Sequence, residues 1–220
     1  MRGLEAYIFD LDGVIVDTAA YHYKAWRRLA NELGFDLTEE QNEQLKGVSR
    51  MRSLDLILGI GGVIVTADQL SKFADRKNSW YLEFIEEMTP DEILPGAKAF
   101  VSEARAAGIK TAIGSASKNT NLILAKIGMS DYFDSIIDGN KVTAPKPDPE
   151  VFLNAAIELG VEPSYCVVFE DAIAGVQAAK NAGMFCIGIG EEHLLTEADI
   201  VVGSLAKIKL EQINNLSKIQ

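Results

Sequence analysis

Asp10 and Asp12 stand two residues apart after an apolar run, Tyr7-Ile8-Phe9, and Gly13 follows them. Further along, Gly114-Ser115-Ala116-Ser117 and Lys118-Asn119 follow a second apolar run, and Ala144-Pro145-Lys146-Pro147-Asp148 stiffens a lysine between prolines. Glu170-Asp171 follows Cys166 to Phe169 directly. Each cluster by itself is more often loop polarity or a helix cap. In chain order they read carboxylates, hydroxyl, lysine, carboxylates, and that set has a chemistry. Two carboxylates ~4 Å apart repel by about 4 kcal/mol at an effective dielectric near ~20. A divalent cation attracts each of them with twice that factor, so the cluster predicts a metal. Oxygen ligands select a hard one, Mg²⁺, which keeps waters and shares its shell with a phosphate. Ser115 and Lys146 would serve the other phosphoryl oxygens, one as hydrogen-bond donor and the other as point charge. Asp10 is then placed to attack phosphorus and form an aspartyl phosphate. Asp12 is close enough to exchange a proton with the entering or leaving oxygen.

These clusters need elements that bring them to one place. Ile109 to Ile113, Ser135 to Asp138, Tyr165 to Phe169, Met184 to Ile189 and Ile200 to Val202 are short apolar runs, with helical stretches between most of them. Runs apolar on both faces in such alternation imply a parallel sheet covered by helices on each side. The stretch from Glu5 to Val16 reads as a first strand, a turn at Gly13 and a short continuation. From Thr18 to Met88 the signals are helical, with Tyr21, Ala25 and Leu29 on one stripe and Leu54 and Leu58 on another. The expected architecture is an α/β fold, a doubly wound parallel sheet built from residues 1–16 and 88–220, with an all-helical cap inserted at 17–87. Ligands of open α/β sheets bind beyond the carboxyl ends of the strands, which is where all four clusters fall.

The 220 residues carry 21 basic and 32 acidic side chains, a net charge of −11, with no basic tail. This argues against nucleic acid and against anionic membrane as partners, so a phosphate ligand needs its charge reversed locally. No signal-peptide pattern and no apolar run of membrane-spanning length occurs, and a cytoplasmic protein is expected. Nothing in the chain demands an oligomer, so a monomer is expected. Cys166 and Cys186 lie in apolar segments without a CxxC pattern and read as two buried hydrophobes rather than a redox pair.

Asp10-Leu11-Asp12-Gly13-Val14-Ile15, Ser115, Lys146 and Glu170-Asp171 resemble, in order and spacing, the four motifs of the haloacid dehalogenase-like phosphotransferases. Asp17-Thr18 with Tyr21-His22 and Trp26, Leu45-Lys46-Gly47-Val48-Ser49-Arg50, Arg76-Lys77-Asn78 and Ser115 to Asn119 are similar to the β-phosphoglucomutase branch of that superfamily. The resemblance implies interconversion of β-D-glucose 1-phosphate and glucose 6-phosphate through the 1,6-bisphosphate, with hexose phosphates as the only partners. It implies Mg²⁺ bound by Asp10 and Asp171, with the Asp12 carbonyl contributing and Glu170 supporting. It also implies a substrate surface of Gly47, Val48, Ser49, Arg50, Lys77, Ser117, Lys118 and Asn119. Arg50, Ser117 and Asn119 would hold the non-reacting phosphate, and Lys77 the sugar. A mutase must bind two phosphates and exclude water from an acyl phosphate, which suits the bidentate fork of Arg50 and a closing lid. Thr18 and His22, four residues apart on one helical face, are expected to orient Asp12 when the cap shuts. One departure is Ala172, where this family carries serine.

Other features weigh toward structure. Gly59-Ile60-Gly61-Gly62 lacks the Lys-Ser/Thr ending of a phosphate loop and is expected to join two cap helices. Gly188-Ile189-Gly190 lacks a third glycine at dinucleotide spacing and is expected to be a turn. His193, Lys46 and Arg52 are expected at the surface, and Trp26 and Trp80 in the cap core. The nearest rival function is a phosphatase on the same scaffold, with water accepting the phosphoryl group. A signalling receiver module is disfavoured because its acid pair precedes the acceptor aspartate and it has no helical insertion.

Overall fold

The computed structural model describes residues 3–45 and 48–216. Six strands, β1 (Ala6–Phe9), β2 (Lys110–Gly114), β3 (Ser135–Ile137), β4 (Cys166–Glu170), β5 (Phe185–Ile189) and β6 (Ile200–Val202), form one sheet in the order β3-β2-β1-β4-β5-β6. All neighbours pair in parallel. The first strand therefore lies inside the sheet, and the strand order reverses between β1 and β4, the place where such folds open a ligand crevice.

Alternation along the strands divides the core in two. Tyr7, Phe9, Ile113, Val167 and Phe169 pack on one face, which is continuous with the apolar side chains of the helical insertion. Ala6, Ile8, Ala112, Val168 and Cys186 face the opposite way, against α7 (Glu150–Leu159) and α8 (Ile173–Asn181). The first face is aromatic at its centre: Phe9 stacks on Phe169 at 4.6 Å between ring centroids, and Phe100 of α5 (Ala97–Ala106) meets Phe169 edge-on at 5.3 Å. Cys166 and Cys186 are free and buried, as their apolar surroundings suggested.

Between β1 and β2 the chain forms α1 (Ala19–Glu32), α2 (Glu39–Glu43), α3 (Arg50–Gly61) and α4 (Ala67–Glu86) before α5. Thr38 and Thr66 start α2 and α4 with capping boxes, their hydroxyls accepting from the third residue's N–H while Gln41 and Gln69 reach back. Ala25, Trp26 and Leu29 of α1 and Ala74, Trp80 and Tyr81 of α4 are buried in the shared interior of these helices. Two glycine segments differ from expectation. Gly59 and Gly61 belong to α3 itself and only Gly62, in the left-handed region, ends it. Gly188 and Ile189 lie within β5, paired to β4 and β6, and only Gly190 is in the turn. Glycine weakens a strand interior, but at Gly188 the side chains of Leu195, Val201 and Ala198 lie 3.0–3.2 Å from where a Cβ would be, a close approach that spacing alone does not reveal. Among the described residues no helix is long and apolar enough to cross a membrane.

Candidate active site

Backbone pairing brings the acidic, hydroxyl and lysine clusters to the same sheet edge. Register places Phe9 opposite both Ile113 and Phe169, so the residues that follow emerge side by side. The Asp10 N–H still bonds Phe169 O at 2.9 Å, and the Ser115 N–H bonds Ile137 O at 2.9 Å. Past Asp10 the chain turns away, because Gly13 adopts φ +84°. A side chain at Gly13 would also put its Cβ 2.0 Å from Asp171 Oδ2, so glycine there both makes the turn and admits the carboxylate. Gly175, at the start of α8, likewise leaves room for Glu170, whose Cδ would lie 2.0 Å from an added Cβ.

Lys146 Nζ donates to Asp10 Oδ1 at 2.6 Å and to Glu170 Oε2 at 2.8 Å, with all three side chains almost completely buried. Burial alone would lower the lysine's pKa, but the charges of Asp10 and then Glu170 outweigh it and hold it above the ordinary value. Burial, then the Asp10 charge, raises Glu170, whose other oxygen accepts from the Ala172 N–H at 3.1 Å. Asp10, Glu170 and Asp171 each offer an oxygen within 4.8 Å of the others. Three carboxylates whose oxygens come this close form an all-oxygen set that fits a hard divalent cation. Asp12, expected to contribute its backbone carbonyl, keeps its carboxylate out of this group: its Oδ1 accepts from the Thr18 hydroxyl.

Thr18 occupies the N-cap of α1, yet its side chain makes no bond to that helix. Asp17 Oδ1 accepts from the Ala19 N–H at 3.1 Å, which frees the Thr18 hydroxyl for Asp12. Burial, then the neighbouring Asp10 charge, pushes the Asp12 carboxyl up to about 7 against the pull of Thr18. His22 does not share this contact. Its Nδ1 lies 2.8 Å from Lys77 Nζ on α4, and Lys77 is boxed by the rings of Trp26 at 4.5 Å and Tyr81 at 4.6 Å. Only 2% of Lys77 is exposed. Burial, then Arg50, lowers the Lys77 pKa, and burial, then Lys77, lowers that of His22. The neutral imidazole is therefore favoured, a form that can accept from Lys77 at Nδ1. Tyr81 is buried with its hydroxyl beside Thr18 but without a well-directed hydrogen bond.

A cavity of about 340 Å³ joins these groups. Asp10, Asp12, Asp171 and Ser115 line it from the sheet, and Thr18, His22, Val48, Arg50 and Lys77 from the helical insertion. Ser115 Oγ accepts from the Ser117 N–H at 3.1 Å, and Ser117 Oγ from the Asn119 N–H at 3.2 Å, a staircase climbing from β2 to α6 (Thr120–Lys126). Ser117 lines the same cavity. Asn119, expected at the substrate surface, is absent from the cavity wall and donates Nδ2 to Asn78 Oδ1 at 2.9 Å. Lys118 is exposed and lines an adjoining hollow with Arg50 and Asp75. Ser49 caps α3, accepting from the Arg52 N–H at 3.4 Å, and is absent from the cavity wall. Gly47 and Lys46 lie outside the described residues.

Trp26 and Trp80 are buried, but Trp26 also lines the cavity and Arg28 lies over the Trp80 ring at 4.2 Å. His193 and Arg52 are at the surface. Ser53, buried on α3 and lining the cavity, and Tyr81 carry no signal in the sequence motifs. The spacing Lys77 to Tyr81 is one helical turn, a signal that would have put the ring on the lysine's face.

Relatives agree with this geometry. The chain is 39% identical to β-phosphoglucomutase of Bacillus subtilis, over 96% of this chain and 94% of that protein. A crystal structure of β-phosphoglucomutase from Clostridium difficile superimposes with a TM-score of 0.94 at 42% identity, covering 99% of this chain and all of that one. A phosphorylated carbohydrates phosphatase of Thermotoga maritima is 31% identical over 98% of this chain and 99% of its own. Residues 4–183 match the haloacid dehalogenase-like hydrolases, and the chain belongs to that family.

Proposed function

We propose that this chain is a β-phosphoglucomutase, interconverting β-D-glucose 1-phosphate and β-D-glucose 6-phosphate through β-glucose 1,6-bisphosphate. The observation that carries the reading is a single cavity with anion-binding groups on two sides. Ser115 and Ser117 line it from the sheet, and Arg50 and the buried Lys77 line it from the helical insertion. A phosphatase needs one set of such groups, whereas a mutase must hold the second phosphate while the first is exchanged. The strong likeness to β-phosphoglucomutases over nearly the whole chain supports the same choice.

In this reading Asp10 is the nucleophile and phosphoryl carrier. Lys146 fixes its carboxylate through Oδ1, which leaves the other oxygen to form the bond to phosphorus. Ser115 and Lys146 bind the equatorial oxygens of the reacting group. In the forward half-reaction the sugar hydroxyl attacks phospho-Asp10; the new P–O bond forms as the P–O bond to Asp10 breaks, and the hydroxyl proton passes to Asp12. In the second half-reaction Asp10 attacks the other phosphate and Asp12 returns the proton to the departing oxygen. A carboxyl poised at about 7 can serve in both directions near neutral pH, and Thr18 orients it. Arg50, Ser117, Lys118 and Asn119 hold the distal phosphate, and Lys77 and Val48, which line the cavity from the cap, meet the sugar. Asp10, Glu170 and Asp171 would hold Mg²⁺, which when bound neutralises phosphoryl charge.

Residues 17–87 act as a cap over a core of residues 1–16 and 88–220, and the protein works as a cytoplasmic monomer. Free, buried cysteines suit that reducing compartment. Phosphorus NMR of the protein with Mg²⁺, β-glucose 1-phosphate and a trace of the bisphosphate tests the assignment. Glucose 6-phosphate without inorganic phosphate is expected. Inorganic phosphate as the main product would instead assign a sugar-phosphate phosphatase.

A further inference from the structure

We propose that Asn78 is a positioning residue that seats the helical insertion on the phosphate end of the core by holding the side chain of Asn119. In its catalytic part the proposal rests on the mutase reading above. Asn78 Oδ1 accepts from Asn119 Nδ2 at 2.9 Å, a contact between residues 41 positions apart that joins α4 to the start of α6. Asn119 is the N-cap of α6, yet its side chain makes no bond to that helix, so its amide is directed outward to Asn78 instead. The other hydrogen bonds between α4 and α6 run from Lys126 to Glu86, two helical turns further on, where the Glu86 side chain is 63% exposed.

The bond has two consequences. It continues the staircase Ser115, Ser117, Asn119 across the gap, so that α4 is referenced through hydrogen bonds to the residue beside the reacting phosphoryl site. Asn78 directly follows Lys77, and fixing one fixes the rotation of the turn that aims the other into the cavity. With Asn119 as the donor, the second hydrogen of the same Nδ2 also remains available to an anion.

An interaction made equally in the substrate complex and the transition state changes KM rather than kcat. Asn78→Ala is therefore expected to raise KM for β-glucose 1,6-bisphosphate by about 3- to 10-fold, the range of one neutral hydrogen bond, with kcat altered less than about 2-fold. Without any substrate, NMR-detected exchange of the Ser117 and Asn119 amides should accelerate by about the same factor. Asn78→Asp, which keeps the acceptor, should exchange like the original protein, and Asn78→Leu replaces alanine if that variant does not fold. Unchanged KM together with unchanged exchange in Asn78→Ala overturns the proposal, as does a loss confined to kcat. If the unsubstituted protein shows no mutase turnover, the mutase reading falls, and the substrate-free exchange still decides whether Asn78 seats Asn119.

Discussion

Thr18→Val removes one hydroxyl from the site while keeping the shape of the side chain. In the folded protein that hydroxyl serves Asp12 and not the helix it begins, so α1 loses no cap when it goes. A hydrogen bond to a charged group contributes about 1.5–3 kcal/mol, and one pKa unit corresponds to about 1.4 kcal/mol. The Asp12 carboxyl, already raised to about 7, should therefore rise by a further one to two units or so. At pH 7 its ionised fraction falls from about a half to roughly a tenth or a hundredth, and the step that deprotonates the sugar hydroxyl slows with it. We expect kcat/KM at pH 7 to drop about 5- to 50-fold, recovering to within about 3-fold near pH 9.5. The assay is a pH profile of mutase kcat/KM for both proteins, with melting temperature as a control for folding. The sign is fixed: losing a donor that stabilises the carboxylate moves the acidic limb upward. A limb displaced by less than about 0.3 unit, or displaced downward, would refute the role given to Thr18.

Further outcomes are expected. Asp10→Asn should abolish both phosphoenzyme formation and isomerisation, read by acid-quench labelling and by product NMR; retained turnover would contradict the carrier role. Arg50→Ala should cut mutase turnover about 10²-fold or more by losing a bidentate phosphate contact, while hydrolysis of a small phosphate ester falls less than about 5-fold. Equal losses would favour a phosphatase. Mg²⁺ affinity, followed by titration calorimetry, should weaken as pH falls below neutrality, by up to about tenfold per unit, because burial and Asp10 raise Glu170 and the metal must displace its proton. A flat profile would remove Glu170 from the site. Gly175→Ala should lower both metal affinity and stability, since its Cβ falls on the Glu170 carboxyl.

Much of this was legible in the chain because parallel sheets leave clear marks. Strands buried on both faces are unbroken apolar runs, so β2, β4 and β5 lie within a residue or two of the expected stretches and β6 coincides. The clusters at their ends follow from the same rule, which is why Asp10, Ser115, Lys146 and Glu170 group together on the sequence alone. Cap contacts were less legible. That Thr18 meets Asp12 while His22 turns to Lys77 depends on how α1 crosses α4, which periodicity does not encode. Nor does spacing tell that Asn78 meets Asn119, since the two are brought together only by packing between separate elements. Ala172 gives α8 no side-chain cap, and Glu170 bonds the Ala172 backbone instead, so the missing serine leaves the carboxylate triad in place.

The strand made first lies between two strands made much later. β1 ends at Phe9, but its neighbours are residues 110–114 and 166–170. At ribosomal speeds of about 5–20 residues per second, roughly 8–30 s separate its synthesis from that of its second neighbour. Until β2 is made the apolar β1 has no strand to pair with, and until Lys146 is made Asp10 has no lysine to answer it. The newly made strand therefore needs transient cover, against the early helices or from a chaperone, before its own sheet can take it in.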